Sequence, residues 1–296
     1  MFLNLAWDVV SDLYLDIHNS KMDEWDKDGS VSDEFWVSAQ MPLSNALVLT
    51  QQGIEFLLKS RIVEVSPYLL LANNPREWPA NCREKDISFA HFRTVDAQDL
   101  TKIHDTVYPR RLDAAFSDQI EEIRRTRNTL MHTVDRNMRL IPTDIWKWIL
   151  EASSTLIGEH VWLKTRRHYL EQKPLSVAYS SDWAAGILVW EALKLLNVLS
   201  PRQKRRYLGV DPKRRWYGCI RCSEDYQDGI DPRAWNVKTC QLKPREPGSA
   251  TLYCFVCGEQ FRVVRKKCPK EDCPGDVMHS TDGLCLTCME AHSELG

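Results

Sequence analysis

Nine of the ten cysteines in this 296-residue chain lie after residue 218, and eight of the nine come as close pairs. Cys219 and Cys222 form a C-x-x-C pair in "CIRC", and Cys254 and Cys257 form another in "YCFVCGEQF". Cys268 and Cys273 follow as C-x4-C, then Cys285 and Cys288 as C-x-x-C, with Cys240 standing alone. In a reducing compartment, thiols clustered at such spacing point to metal rather than to disulfides. A C-x-x-C knuckle is a tight turn whose following glycine lets backbone amides approach the thiolates, and two knuckles supply the four sulfurs of a closed tetrahedral site. The eight paired cysteines therefore predict two structural Zn2+ ions. Spacing leaves open whether the pairs join in chain order or interleave, outer with outer and inner with inner. A catalytic zinc would keep an open position and use His or a carboxylate. His279 and His292 are nearby in sequence, but eight thiolates already fill two sites.

The segment 218–296 is thus expected to be a small, β-rich, zinc-stabilised domain. It resembles a zinc ribbon, a class that binds nucleic acid or protein. Its apolar content is too low for a core of its own, and structural zinc contributes on the order of 10–16 kcal/mol in finger peptides. Residues 201–296 hold 17 Lys+Arg against 13 Asp+Glu. Two zinc ions with eight thiolates would cancel that excess, so the tail is not a generic polycation. Ahead of it, 201–217 reads as a basic linker. Arg202, Lys204, Arg205, Arg206, Lys213, Arg214 and Arg215, followed by Trp216 and Tyr217, have the charge and aromatics of an RNA-backbone contact, or of a solvated linker.

Residues 1–200 read as an all-α bundle. Hydrophobic residues make up 43% and charged residues 27% of the chain, too apolar for disorder. No run reaches the roughly 18 apolar residues that a membrane span needs. The opening carries Asp8, Asp12 and Asp16 without a basic n-region, unlike a secretory signal, so a cytoplasmic protein is expected. Residues 1–34 hold nine Asp/Glu against Lys21 and Lys27, a surface that repels nucleic acid and could cover a regulatory protein partner.

Helical periodicity marks the elements. "NALVLTQQGIEFLLKSRI" puts Ala46, Leu49, Gly53, Phe56 and Leu57 on one stripe, with Glu55 and Lys59 as a surface ion pair. "LLLANNPREWPANCREKD", with Cys82, reads as a loop, and a short helix from Thr94 or Asp96 is stopped by Pro109. Ser117 or Asp118 can cap "FSDQIEEIRRTRNTLMHTV". After Pro142, Thr143 can cap one long helix through Ile145, Trp148, Ile149, Ala152, Leu156 and Leu163. Arg166, Arg167 and His168 read as a basic helix surface. Ser181 and Asp182 can cap a last apolar helix with Trp183, Ile187, Trp190 and Leu193.

The third of these helices holds the candidate chemistry. In "RNTLMH", Asn128 and His132 are four apart and share a face, Arg124 lies one turn earlier, and long Arg127 can swing toward them. The bare R-x4-H spacing arises by chance about 0.6 times in such a composition, but the added Asn lowers that to about 0.02. "RNTLMH" resembles the R-N-x-x-x-H signature of the HEPN superfamily, helical bundles of prokaryotic toxins, phage-defence proteins and RNA-processing enzymes. Glu55-x-x-x-Lys59 in its apolar helix and the segment "FRTVDAQDLTKI" extend the resemblance over about residues 40–165.

The resemblance implies a metal-independent endoribonuclease whose site forms where two copies bring their signatures together, hence a homodimer acting on RNA. Arg127, Asn128 and His132 are then the catalytic candidates. His132 titrates in the range needed to move the ribose 2′-OH proton, Arg127 can hold the charged phosphorane, and Asn128 can orient His132 or the phosphate, while the motif leaves open which of Arg127 and His132 handles protons. Products would be a 2′,3′-cyclic phosphate and a 5′-OH. The alternative is a non-catalytic helical and zinc-ribbon module that binds RNA or protein.

Overall fold

The computed structural model describes residues 1–19, 33–71, 74, 76, 78–79, 87–132, 139–178, 181–229, 236–244, 246 and 248–292. Cys82 lies outside them. The chain divides into two compact units, Met1–Gly158 and Glu159–Gly296.

The first unit is helical: α1 (Phe2–Asn19), α2 (Asp33–Ser38), α3 (Gln40–Val65), α4 (Leu100–Val107), α5 (Ala114–His132) and α6 (Pro142–Leu156). Helix α3 is its axis, in contact with α1, α4, α5 and α6. That position explains which residues it buries. Leu43, Ala46, Leu47, Thr50, Gly53, Ile54, Leu58 and Ile62 are buried, whereas Phe56 of the expected stripe is half exposed. A helix surrounded on several sides buries more than one stripe, so periodicity alone picked a neighbouring face. Gly53 sits where α1 crosses closest; a Cβ there would lie 2.5 Å from Leu3 Cδ2. Trp7 of α1 and Trp146 of α6 stack at 4.9 Å in the core, both fully buried.

Two polar side chains stitch α3 to the α6 region. Gln40 Oε1 accepts the Leu140 N–H at 2.7 Å, and Arg61 donates to the carbonyls of Leu156 and Thr155 at 3.0 and 2.8 Å. The latter contacts satisfy carbonyls at the C-terminus of α6, where a cation also suits the helix dipole.

Three helix boundaries differ from the sequence expectation. Helix α5 begins earlier than Ser117 or Asp118: Asp113 Oδ1 accepts the Phe116 N–H at 2.7 Å and acts as the cap. Pro142 is itself the first residue of α6, and Ile141 occupies the cap position without a side-chain bond. The long helix expected through Leu163 breaks after Leu156. His160 adopts a left-handed φ of 57° there, and Leu163 belongs to the next helix.

The second unit opens with α7 (Trp162–Glu171), α8 (Pro174–Ala178), α9 (Ser181–Val198) and the short α10 (Pro201–Gln203). A π-turn at Lys204–Leu208 follows, then β1 (Tyr217–Gly218), α11 (Ile220–Gly229), β2 (Lys238–Leu242), β3 (Thr251–Cys254), β4 (Gln260–Val264) and β5 (Met278–His279). The strands form an antiparallel meander in the order β1-β2-β3-β4-β5. The compositional shift at 201–217 marks no division between compact units. Helix α9 packs against both α7 and α11, with Leu188, Val189, Ala192 and Leu195 fully buried. The cysteine-rich segment therefore shares its core with helices that precede it.

The basic stretch 201–217 is folded rather than free. Tyr207, Leu208 and Val210 are buried, and Asp211 and Gln241 exchange hydrogen bonds of 3.1 and 2.7 Å. The patch expected at Arg166, Arg167 and His168 is corrected at its first member. Arg166 is 1% exposed and paired with Glu191 of α9.

Candidate metal centres and the arginine helix

The cysteines close into two groups in chain order. Cys219, Cys222, Cys254 and Cys257 form the first, and Cys268, Cys273, Cys285 and Cys288 form the second, the four sulfurs of each lying within 4.8 Å of one another. The interleaved alternative is ruled out. In the first group, Cys219 follows β1, Cys222 stands in the first turn of α11, and Cys254 and Cys257 flank the turn after β3. Antiparallel pairing of β1–β2–β3 brings the two knuckles together, and the positive end of α11 favours thiolate charge.

A tetrahedral ion with metal–sulfur bonds of about 2.3 Å needs sulfurs about 3.8 Å apart. The Sγ–Sγ distances are 3.6 Å for Cys219–Cys257 and 3.6 Å for Cys222–Cys254. In the second group they are 3.9 Å for Cys268–Cys288 and 3.8 Å for Cys273–Cys285. Backbone N–H groups point at the sulfurs, as a knuckle requires: Cys222 to Cys219 at 3.4 Å, Cys257 to Cys254 at 3.5 Å, and Gly275 to Cys273 at 3.4 Å. Gly258 supplies the left-handed turn after Cys257, at φ 77°. Gly275 serves the second group differently, because a Cβ there would sit 2.6 Å from Cys285 Sγ. Both groups thus have the spacing and donor chemistry of structural metal sites, and four soft thiolates suit zinc.

Electrostatics in the first group argue the same way. Crowding makes its thiols share protons. Hydrogen bonds, that from Cys222 foremost, pull Cys219 down to about 5, while Cys222 itself is pushed well up. Cys254 is held well below the thiol range, burial opposing and hydrogen bonds from its neighbours prevailing. Like charges this close cannot all ionise alone, whereas a divalent cation among them lets all four do so. Cys240, which sequence reasoning left without a role, is the strand partner of Cys254 and is fully buried behind this group. No spacing rule points to it, because its neighbour is set by strand register.

On α5, Arg127 NH1 donates to Asn128 Oδ1 at 2.9 Å, and Arg127 Nε is buried with no hydrogen-bond partner. Among the described residues Arg127 makes no ion pair. Arg124 behaves differently: its Nε and NH2 reach Glu121 Oε1 and Oε2 at 3.2 and 3.0 Å. That hydrogen bond holds the Glu121 carboxyl below its ordinary value. The expected polar stripe of Arg124, Asn128 and His132 is therefore shortened, since Arg124 is already neutralised. His132 ends α5, and its side chain lies outside the described residues. Lys59 and Glu55 pair at 2.8 Å with side chains only 18% and 25% exposed, less open than a surface pair.

A partly open cleft between α3, α4 and α5, lined by Gln51, Ile54, Glu55, Leu100, Ile123 and Arg124, has room for about one water. The basic stretch offers less to a ligand than its composition suggests. Arg205 pairs with Asp211 at 3.3 Å, Arg214 donates to the Leu242 carbonyl at 2.6 Å, and Arg215 pairs with Asp276 at 3.0 Å. Among the described residues no helix is long and apolar enough to cross a membrane.

Comparison with known proteins adds no relative: no family model, no curated protein and no solved structure matches the chain. The likeness to the HEPN superfamily rests on the quoted residues alone, and what stands on geometry is a helical unit followed by a cysteine-rich antiparallel sheet with two four-sulfur groups able to hold metal.

Proposed function

We propose that the chain is a metal-independent endoribonuclease of the HEPN type, a toxin or anti-phage effector that cuts RNA at a site shared by two copies. The observation that carries this reading is the state of Arg127. Its guanidinium is oriented by Asn128 at 2.9 Å, and it carries a charge that no described carboxylate cancels. A fixed, uncompensated guanidinium is an anion site, and its planar fork matches a phosphoryl group. His132 follows Asn128 by one turn of the same helix, placed in sequence to move the 2′-OH proton.

In this reading the roles divide simply. Arg127 holds the non-bridging oxygens as charge builds on phosphorus, Asn128 fixes Arg127, and His132 accepts the ribose proton. The 5′-oxygen leaves and takes up a proton from water, giving a 2′,3′-cyclic phosphate and a 5′-OH. The cysteine centres take no part in bond breaking: two zinc ions hold the second unit together, and that unit recruits RNA or a regulatory partner. The site would be completed by the same helix of a second copy in a homodimer.

The test is cleavage of RNA by the full chain with its bound metal retained and no free divalent cation. Arg127→Ala and His132→Ala should each lose about 10²–10⁴ in rate. Equal rates in all three proteins would refute the proposal. Binding without cleavage by the wild type would instead favour a non-catalytic RNA- or protein-binding module.

A further inference from the structure

The two four-sulfur groups are not equivalent. Burial does not set them apart, since each has three buried cysteines and one only partly buried, Cys257 in the first and Cys288 in the second. A fifth donor stands beside the second: His292 Nε2 lies 3.3 Å from Cys268 Sγ. Cys288, Glu290 and His292 also bring ligand atoms within 4.8 Å of one another. An imidazole nitrogen and a thiolate on one tetrahedral zinc are about 3.5 Å apart, from bond lengths of about 2.05 and 2.3 Å. Cys268 therefore has both Cys288, at 3.9 Å, and His292 at distances compatible with sharing one ion.

The chain is built to return His292 to this place. Met289 takes a left-handed φ of 62°, which turns the backbone directly after Cys288. The returning segment is then tied down by backbone bonds: Cys285 N–H to the Glu290 carbonyl at 2.9 Å, Met289 N–H to the Cys285 carbonyl at 2.7 Å, and His292 N–H to the Gly283 carbonyl at 3.4 Å. The Lys270 ammonium pairs with the Glu290 carboxylate and fastens the segment to the Cys268–Cys273 loop. That pairing also occupies Glu290, which leaves His292 as the spare ligand.

We propose that the second centre has five donors for four positions: Cys268, Cys273 and Cys285 are permanent ligands, and Cys288 and His292 exchange in the fourth. In the exchange a neutral imidazole nitrogen bonds to a divalent, thiophilic ion such as Zn2+ as the Cys288 thiolate leaves. No electron is transferred, and the formal charge of the centre rises from −2 to −1. Two metal states of one centre follow, one closed by sulfur and one with a free Cys288 thiolate at the surface. The extra group beside the first centre is different in kind, the buried thiol of Cys240 hydrogen-bonded to Cys219 and Cys254.

Metal content of the full chain after exhaustive dialysis against zinc-free buffer tests this. Wild type and Cys288→Ser should both retain two zinc per chain, Cys273→Ser about one, and the double variant Cys288→Ser/His292→Ala about one. Loss of one equivalent from Cys288→Ser alone, or retention of two by the double variant, would overturn the proposal. Cobalt loading of Cys288→Ser gives an independent reading. The thiolate-to-metal absorption should fall to about seven-eighths of wild type, because seven of eight sulfurs remain bound. A fall to one half, meaning that a whole centre is gone, would overturn it as well.

Discussion

Arg166 and Glu191 meet in a two-point ion pair, Nε to Oε2 at 3.0 Å and NH2 to Oε1 at 2.7 Å, with side chains 1% and 0% exposed. The pair joins α7 to α9 and aligns the apolar α9 in its packing. Removing one partner strands a buried charge, which typically costs about 3–5 kcal/mol, whereas replacing both with apolar residues is often neutral. Glu191→Ala should therefore lower the denaturation midpoint sharply, and Arg166→Met/Glu191→Leu should recover most of the loss. Chemical unfolding of the three proteins measures it.

Metal removal should act on one unit and spare the other. Ligands for both centres lie after residue 218, within the Glu159–Gly296 unit. Stripping the ions leaves eight clustered thiols that must take up protons and separate. Limited proteolysis after chelation should open cleavage sites beyond Gly158 while the Met1–Gly158 fragment survives. Simultaneous digestion of both halves would contradict this.

Two glycines near the sulfurs should respond differently to alanine. At Gly275 the new Cβ would meet Cys285 Sγ at 2.6 Å and Cys273 Sγ at 3.1 Å, so Gly275→Ala should lose the second ion and keep the first. At Gly258 nothing lies within 4 Å of the added Cβ, and only the left-handed φ of 77° is strained. Gly258→Ala should keep both ions at a cost of about 1–2 kcal/mol. Zinc per chain and thermal stability separate the two effects.

On the proposed reading of α5 as the RNA-cleaving helix, Arg124 and Arg127, one turn apart, should differ in their effect on the rate. Arg124 is committed to Glu121, so Arg124→Ala should alter the rate by less than about threefold, against about 10² or more for Arg127→Ala. Comparable losses in both variants would mean that the Glu121 pair opens during the reaction.

The Glu121 carboxyl also gives a pH dependence. Arg124 lowers its folded pKa below the unfolded value of about 4.3. The stabilisation is therefore complete above about pH 4.3 and is lost as pH falls through the folded value. At 38% exposure it is screened to a few tenths of a kcal/mol. Glu121→Gln should thus change stability slightly at pH 7 and not at all well below pH 3, measured by urea titration at both.

Local chemistry was readable in the chain, and tertiary choice was not. The C-x-x-C pairs declare themselves because a knuckle is built from neighbouring residues, but which pairs share an ion depends on the β1–β2–β3 meander. His292 is set aside in the sequence because eight thiolates fill two sites on paper, and only the turn at Met289 brings its ring to Cys268. Arg166 looked like surface because a charged residue on a polar helix usually is, and its partner lies 25 residues away on α9. The start of α5 was misjudged among several adjacent cap-forming residues. Asp113 prevails because its carboxylate reaches the Phe116 amide. Spacing and the resemblance pick out Arg127 and Asn128 as candidates, but the pairing of Arg124 with Glu121 is a competition between neighbours of similar reach.

The sharing of α9 decides where the cysteine-rich half can be cut from the chain. A fragment starting at 218 would keep all eight paired cysteines but lose α9, the wall on which α11 leans. Supplying zinc would not replace that wall, so a folded fragment should begin at 159.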